Sequence, residues 1–204
     1  VSQVLFAQTN DKASAQSYFD QGKQAMAQED FTGATSSFDE AIKLYPKHWE
    51  ALEARGYCRM LIENDKPKAK DRNYTDAIKD FSDALMALEN DMSKSSDNKA
   101  KKEMRKGKVP IYINRAYAKM QYDTKKYYKL AIEDYNAAWT IDNTNMDIYI
   151  GRAYAYHKRK QFDREIQDYK IVIKEALEPN SKLSDKEGFD LSIIYFNLGN
   201  AYID

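Results

Sequence analysis

The chain has 204 residues with 32 basic against 32 acidic side chains, a zero balance that supplies no global field toward nucleic acid or an anionic substrate. Its single cysteine, Cys58, excludes an intrachain disulfide and a cysteine-rich zinc site. Only four prolines and seven glycines interrupt it, which favours long helices over sheet, and no apolar run approaches the ~20 residues of a membrane span.

In chain order, Val1–Ala7 is apolar and ends on a small residue, followed by the polar stretch Gln8–Lys12. It reads either as the tail of a secretory signal peptide cut after Ala7, with Leu5 and Ala7 at −3 and −1, or as an ordinary leader. The first reading makes the protein periplasmic or secreted and the second leaves it cytoplasmic. Residues 1–12 are therefore set apart from one helical domain over 13–204.

A first helix is expected from about Ala13 to Gln28, and Asp30 or Thr32 can open a second that ends before Pro46. In that second helix Phe31, Ala34, Phe38 and Ala41 step by +3, +4, +3, one stripe down one helical face. The same steps recur in Tyr74, Ala77, Phe81, Ala84 and in Tyr128, Ala131, Tyr135, Ala138. A fourth set, Phe162, Glu165, Tyr169, Val172, keeps the spacing with one departure, a carboxylate where the others have alanine. A buried carboxylate is costly unless paired, so Glu165 is expected at an open rim or facing an arginine.

Tyr18, Gly22, Ala34, Phe38, Ala41 and Pro46 together resemble the tetratricopeptide repeat, a helix pair with a period of about 34 residues. The small residue of each first helix (helix A) acts as a ruler: Gly22, Gly56, Ala116, Ala153, Gly199. Gly22 to Gly56 is 34 residues, and the longer steps are absorbed by insertions where turns belong. Glu63–Asn73 lengthens one turn by nine residues, Asn90–Lys108 adds seventeen after the second helix B, and Glu178–Leu191 precedes the last helix. Without closing prolines, the second and fourth B helices are expected to run on by a turn. The expected fold is all-α, a right-handed α-solenoid of antiparallel helix pairs. About four and a half repeats are expected, at 15–48, 49–91, 109–145, 146–179 and 192–204.

No metal, nucleophile or phosphate-loop pattern is present; His48 and His157 are the only histidines and stand far apart in the repeat order. The chain is expected to be no enzyme and to need no cofactor. The family resemblance implies that helix-A positions −3, +1 and +4 from the small residue face a concave groove. Carried over, the candidates are Phe19, Lys23 and Met26; Tyr57 and Met60; Ile113, Asn114, Tyr117 and Met120; Ile150, Tyr154 and His157; and Phe196 with Asn200. Three tyrosines above methionines make an adaptable apolar row with hydroxyl tips, suited to an extended peptide or a partner's helix.

One subclass of the family clamps the acidic tails of chaperones with Lys, Asn and Arg at set groove positions. Here those positions hold Phe19, Lys23, Ala54, Pro110 and Asn114, so the clamp is absent. Arg55, Arg115 and Arg152 precede the small residue in three repeats and are expected to be structural, bonding helix-end carbonyls or acids such as Glu165. The basic run Lys99–Lys108 lacks interleaved aromatics and reads as a solvated helix or loop, not a nucleic-acid site. The expected function is a non-catalytic scaffold binding a protein or peptide in the groove. The alternative is self-assembly, a homo-oligomer docked through the terminal helix.

Overall fold

The aromatic–small stripes fold as helices whose striped face is buried. The computed structural model describes residues 2–181, 183 and 189–203, with side chains from residue 11 onward. Among them are α1 (Ser2–Ala27), α2 (Phe31–Leu44), α3 (Trp49–Asp65), α4 (Thr75–Lys94), α5 (Asn98–Met120), α6 (Lys125–Trp139), α7 (Met146–Lys158), α8 (Phe162–Ala176) and α9 (Leu191–Ile203), with one 3₁₀ turn at Ala69–Asp71 and no strand. The fold is thus all-α and of the α-solenoid type. The chain divides into two compact units, Val1–Ala118 and Lys119–Asp204.

In the first unit α1 pairs with α2, α3 packs on α2, and α3 pairs with α4. Phe38 is fully buried against Ala34, Ala41, Ala51, Ala54 and Cys58. Bulky rings over alanine and glycine let helix axes approach closely, and each fully buried ring contributes about 1.5–3 kcal/mol. In the second unit α6 packs on α7, α7 pairs with α8, and α9 lies on α8. Its core gathers Tyr149, Ala153, Tyr169, Val172, Leu183 and Ile194.

Three tight turns between helices share one device. Glu29, Asp123 and Lys160 adopt left-handed backbone (φ 60°, 45° and 57°), each one residue before the N-cap of the following helix. Asp30 accepts from the Gly33 N–H at 2.8 Å and Thr124 from the Tyr127 N–H at 3.3 Å, whereas Gln161 makes no side-chain cap. In the first and last of these turns a 6→1 bond, Asp30 N–H to Ala25 and Gln161 N–H to Tyr156, closes the helix.

Several expectations are corrected. Helix α1 begins at Ser2 instead of Ala13, because nothing in Ser2–Lys12 is glycine or proline to stop it. The insertion 90–108 is mostly helix: α4 runs on to Lys94, the extra turn expected of the second helix B, and α5 already starts at Asn98, where the Asp97 carboxylate accepts from the Lys99 N–H at 2.8 Å. Helix α5 carries Pro110 in its interior, which removes one intrahelical bond. Helix α8 stops at Ala176 with Leu177 as its cap, so it does not run on. Glu165 is buried, not at a rim, and its partner is His157. Val1, and residues 182 and 184–188 of the last expected insertion, lie outside the described residues.

Candidate binding surface

The surface is set by what holds the A helices α1, α3, α5, α7 and α9 in place. At Gly22 a Cβ would drive into the Phe38 ring, and at Gly56 it would come 3.0 Å from the Phe81 ring. At Gly151 it would overlap Tyr135 of the preceding helix α6. Glycine is needed at these places for close approach rather than for an unusual backbone.

The arginine before the small residue fixes the rotation of its helix. Arg55 donates from Nε and Nη2 to the two oxygens of Asp80 at 3.0 and 2.6 Å, and from Nη1 to Asp39 at 2.6 Å. Arg59 adds a further bond to Asp80 at 2.7 Å. Arg152 repeats the pattern, with 2.9 and 2.8 Å to Asp168 and 2.8 Å to Asn136. Arg115 donates to the Ser82 hydroxyl at 3.0 Å. Each arginine thus reaches back to the residue after the aromatic of the previous helix B (Asp39, Ser82 or Asn136). Arg55 and Arg152 also reach forward to the aspartate before the aromatic of their own helix B.

Burial works against the charges of Asp80 and Asp168, and the guanidinium donors oppose it. The guanidinium of Arg55 is desolvated, yet its bonds to Asp80 and Asp39 hold its pKa above the ordinary range, as Asp168 does for Arg152. Charge-assisted bidentate pairs of this kind fix orientation. The arginines are structural groups, with aspartates instead of Glu165 as the acidic partners of Arg55 and Arg152.

With the arginine and the small residue after it held inward, the residue two positions beyond the arginine turns outward. In the first unit Tyr117 is 39% exposed and Tyr57 half-buried. In the second unit Tyr154 is 45% exposed, although its neighbours Ala153 and Ala155 are buried. Tyr154 meets Tyr128 edge-on at 6.5 Å, and the Lys158 ammonium lies 5.8 Å from both rings. Lys158 also bridges to Asp123 at 3.2 Å, and the Tyr128 hydroxyl donates to the same carboxylate. The Asp123 carboxyl is held below the usual range by the Tyr128 hydroxyl and by Lys158, whose own pKa is raised mainly by its hydrogen bond to Asp123.

Not every expected residue lies on the surface. Met60 and Met120 are buried, so they pack beneath the row and cannot offer contact area. Phe19 is engaged with Phe38 and with His48, at ring distances of 5.7 and 4.8 Å, and Met26 packs on the same core. Lys23 is exposed, with its ammonium 5.6 Å from the Phe19 ring. Ile113, Asn114, Ile150 and Asn200 are partly exposed, and Ile150 leans on the second core. His157 Nδ1 lies 3.2 Å from the buried Glu165 Oε2, which commits it to structure. Phe196 is wide open. Cys58 is buried, and desolvation pushes its thiol up to about 11, far from a reactive thiolate. No group of three His, Cys, Asp or Glu side chains that could hold a metal occurs among the described residues, and no helix there is long and apolar enough to cross a membrane.

Helix hairpins closed by a B-helix ring over a small A-helix residue define a class, the helix-pair repeat proteins. Residues 19–91 match the tetratricopeptide repeat family, and the described helix pairs beyond them have a similar fold. The fold is similar to that of the MamA protein (20% identity, 93% of this chain and 81% of that one, TM-score 0.62). It is also similar to YrrB, described as a TPR protein with an unusual peptide-binding site (14% identity, 91% and 75%, TM-score 0.61). A third likeness is to the APC/C hetero-tetramer Cut9-Hcn1, of which one chain is covered over 29% of its length and this chain over 90%, at 18% identity and a TM-score of 0.62. No curated protein matches the chain by sequence.

Proposed function

We propose that the protein is a non-catalytic scaffold that holds a protein or peptide segment against the tyrosine-bearing face of its A helices. The carrying observation is that Tyr117 and Tyr154, each directly after a buried small residue, keep 39% and 45% of their surface exposed. A tyrosine ring offers large contact area at little conformational cost, and its hydroxyl can fix the register of a bound backbone. The likeness in fold to YrrB, whose description names a peptide-binding site, supports the same reading. The chaperone-tail clamp is not part of it, since Lys23 stands without the required partners at Ala54 and Pro110.

The test compares proteins captured from lysate by wild type and by a Tyr57→Ala/Tyr117→Ala/Tyr154→Ala variant of equal thermal stability. Aromatic anchors at such a site carry about 2 kcal/mol or more each, so the variant loses its captured proteins. Retention of the same proteins by the variant overturns the reading.

A further inference from the structure

In the second unit the α5–α6 and α7–α8 turns lie side by side, joined where the Lys158 ammonium comes 3.2 Å from the Asp123 carboxylate. Residues 123–126 and 158–164 hold six basic side chains, Lys125, Lys126, Lys158, Arg159, Lys160 and Arg164, against two acidic ones, Asp123 and Asp163. Lys125, Lys126, Lys160 and Arg164 are exposed and, like Arg159, pair with no carboxylate among the described residues.

Nothing in the folding of these turns asks for the cations. The turn into α2 is built with the same left-handed residue, yet it reads Gln28-Glu29-Asp30-Phe31-Thr32, without lysine or arginine. Lys125 and Lys126 open α6, which has no acid in its first turn, and the positive end of the helix dipole disfavours them there. A local arrangement that works against stability is the mark of a place that serves binding.

We infer that these turns capture the carboxylates of the segment held on the tyrosine face, so that the partner is an acidic peptide whose aspartates or glutamates flank its contact with Tyr154, a step that rests on the role proposed above for that residue. Tyr154 joins the two features, since its exposed ring stands against Tyr128 and Lys158. Asp123 is already engaged by Lys158 and the Tyr128 hydroxyl, which leaves it little charge to repel an incoming acid.

Charge complementarity selects the class of partner, because unpaired lysines and arginines attract an acidic chain and set its register. A single-stranded nucleic acid needs free rings for its bases, whereas Tyr122 and Tyr127 are stacked on each other at 4.5 Å and Phe162 is half-buried against His157. A lasting hold on a bilayer takes an apolar anchor besides basic residues, and 123–126 and 159–161 are all polar. The site is also distinct from the absent chaperone-tail clamp, whose positions all fall in the first unit at Phe19, Lys23, Ala54, Pro110 and Asn114.

The test titrates the full chain with a fluorescein-labelled peptide in which a Leu-Leu pair lies between two blocks of glutamate, and with its counterpart carrying glutamine at every glutamate. The glutamate peptide binds, the glutamine peptide binds about tenfold more weakly, and added salt narrows the difference. Lys125→Glu/Lys126→Glu and Lys160→Glu/Arg164→Glu each weaken the glutamate peptide about tenfold, while Lys125→Arg/Lys126→Arg binds as wild type does. Lys125→Glu/Lys126→Glu unfolds at no lower a temperature than wild type, since acids suit the first turn of a helix, so its lost binding is not a lost fold. Tyr154→Ala weakens both peptides and keeps the preference for glutamate. No binding of the glutamate peptide, equal binding of the two peptides, or full binding by both charge-reversed variants overturns the inference; the tyrosine face then stands if Tyr154→Ala still weakens binding. Charge-dependent binding that Tyr154→Ala leaves untouched overturns the tyrosine reading in this unit and keeps the acid-binding turns. Tighter binding to phosphatidylserine vesicles or to oligouridylate, lost in the same charge-reversed variants, overturns the inference in favour of a membrane or a nucleic acid.

Discussion

Arg152 and Asp168 form a two-pronged pair, Nε and Nη2 each donating to one carboxylate oxygen at 2.9 and 2.8 Å, with both side chains largely buried. The first repeat lacks both members of this pair, having Gln21 and Ser37 in their places. Removing one partner strands the other charge, so Asp168→Ala is expected to cost about 3–5 kcal/mol. The double change Arg152→Gln/Asp168→Ser recreates the neutral arrangement of the first repeat and costs far less than the two single changes summed. Urea unfolding of the four proteins gives the coupling, expected at about 1.5–3 kcal/mol.

Gly22 and Gly199 respond to the same substitution with opposite sign. Gly22→Ala pushes a methyl into the Phe38 ring and is expected to destabilise by about 1–3 kcal/mol. Gly199→Ala meets nothing and gains helix propensity, worth up to about 1 kcal/mol. Thermal unfolding of both variants beside wild type reads the two signs directly.

The turn into α8 is the least well made of the three related turns. Lys160 holds a left-handed backbone without being glycine, and Gln161 caps nothing with its side chain. Lys160→Gly relieves about 1 kcal/mol of strain, and Gln161→Asp supplies a cap worth about 1 kcal/mol. The pair together is expected to raise the unfolding midpoint in urea without changing its slope.

Asp123 gives the acid limb of stability a component that can be removed. Its carboxyl titrates below the usual range because the Tyr128 hydroxyl and Lys158 favour the charged form. The unfolded chain therefore binds that proton more readily. The contribution is fully present above the unfolded pKa of about 4 and disappears as pH falls through the lower folded value. Asp123→Asn, which tolerates the left-handed backbone, is expected to flatten the loss of stability below about pH 4 relative to wild type. Denaturant midpoints measured between pH 2 and 6 check this.

The stripes of rings and alanines were readable because a helix face imposes fixed spacing, and a ring over a small residue leaves a recognisable pair of letters. The arginine pairs were readable too, but only jointly. Arg55 and Arg152 share their repeats with Asp80 and Asp168, and judged one at a time an arginine seemed to answer Glu165. Glu165 answers another departure: His157 stands where the earlier repeats have Met26, Met60 and Met120, and the two unusual residues meet. The extra turn of α4 was expected from the missing closing proline, but the full length of α5 was not, because a run of lysines reads equally well as a solvated helix or a loop. Lys, Glu, Arg, Met and Ala are also strong helix formers, and Asp97 supplies the start. Which groove residues face solvent was the least legible part, since Met60 and Met120 occupy the same pattern position as exposed Ile203. Their burial depends on neighbouring helices, not on spacing.

The division of each arginine's bonds has a consequence for how the array comes apart. Arg55 spends one bond on the preceding hairpin and the rest on its own, as Arg152 does. No hairpin bearing one is electrostatically complete in isolation, so peeling under mechanical load must break a guanidinium contact at every such junction. Rupture is then expected in hairpin-sized steps, each releasing one such contact.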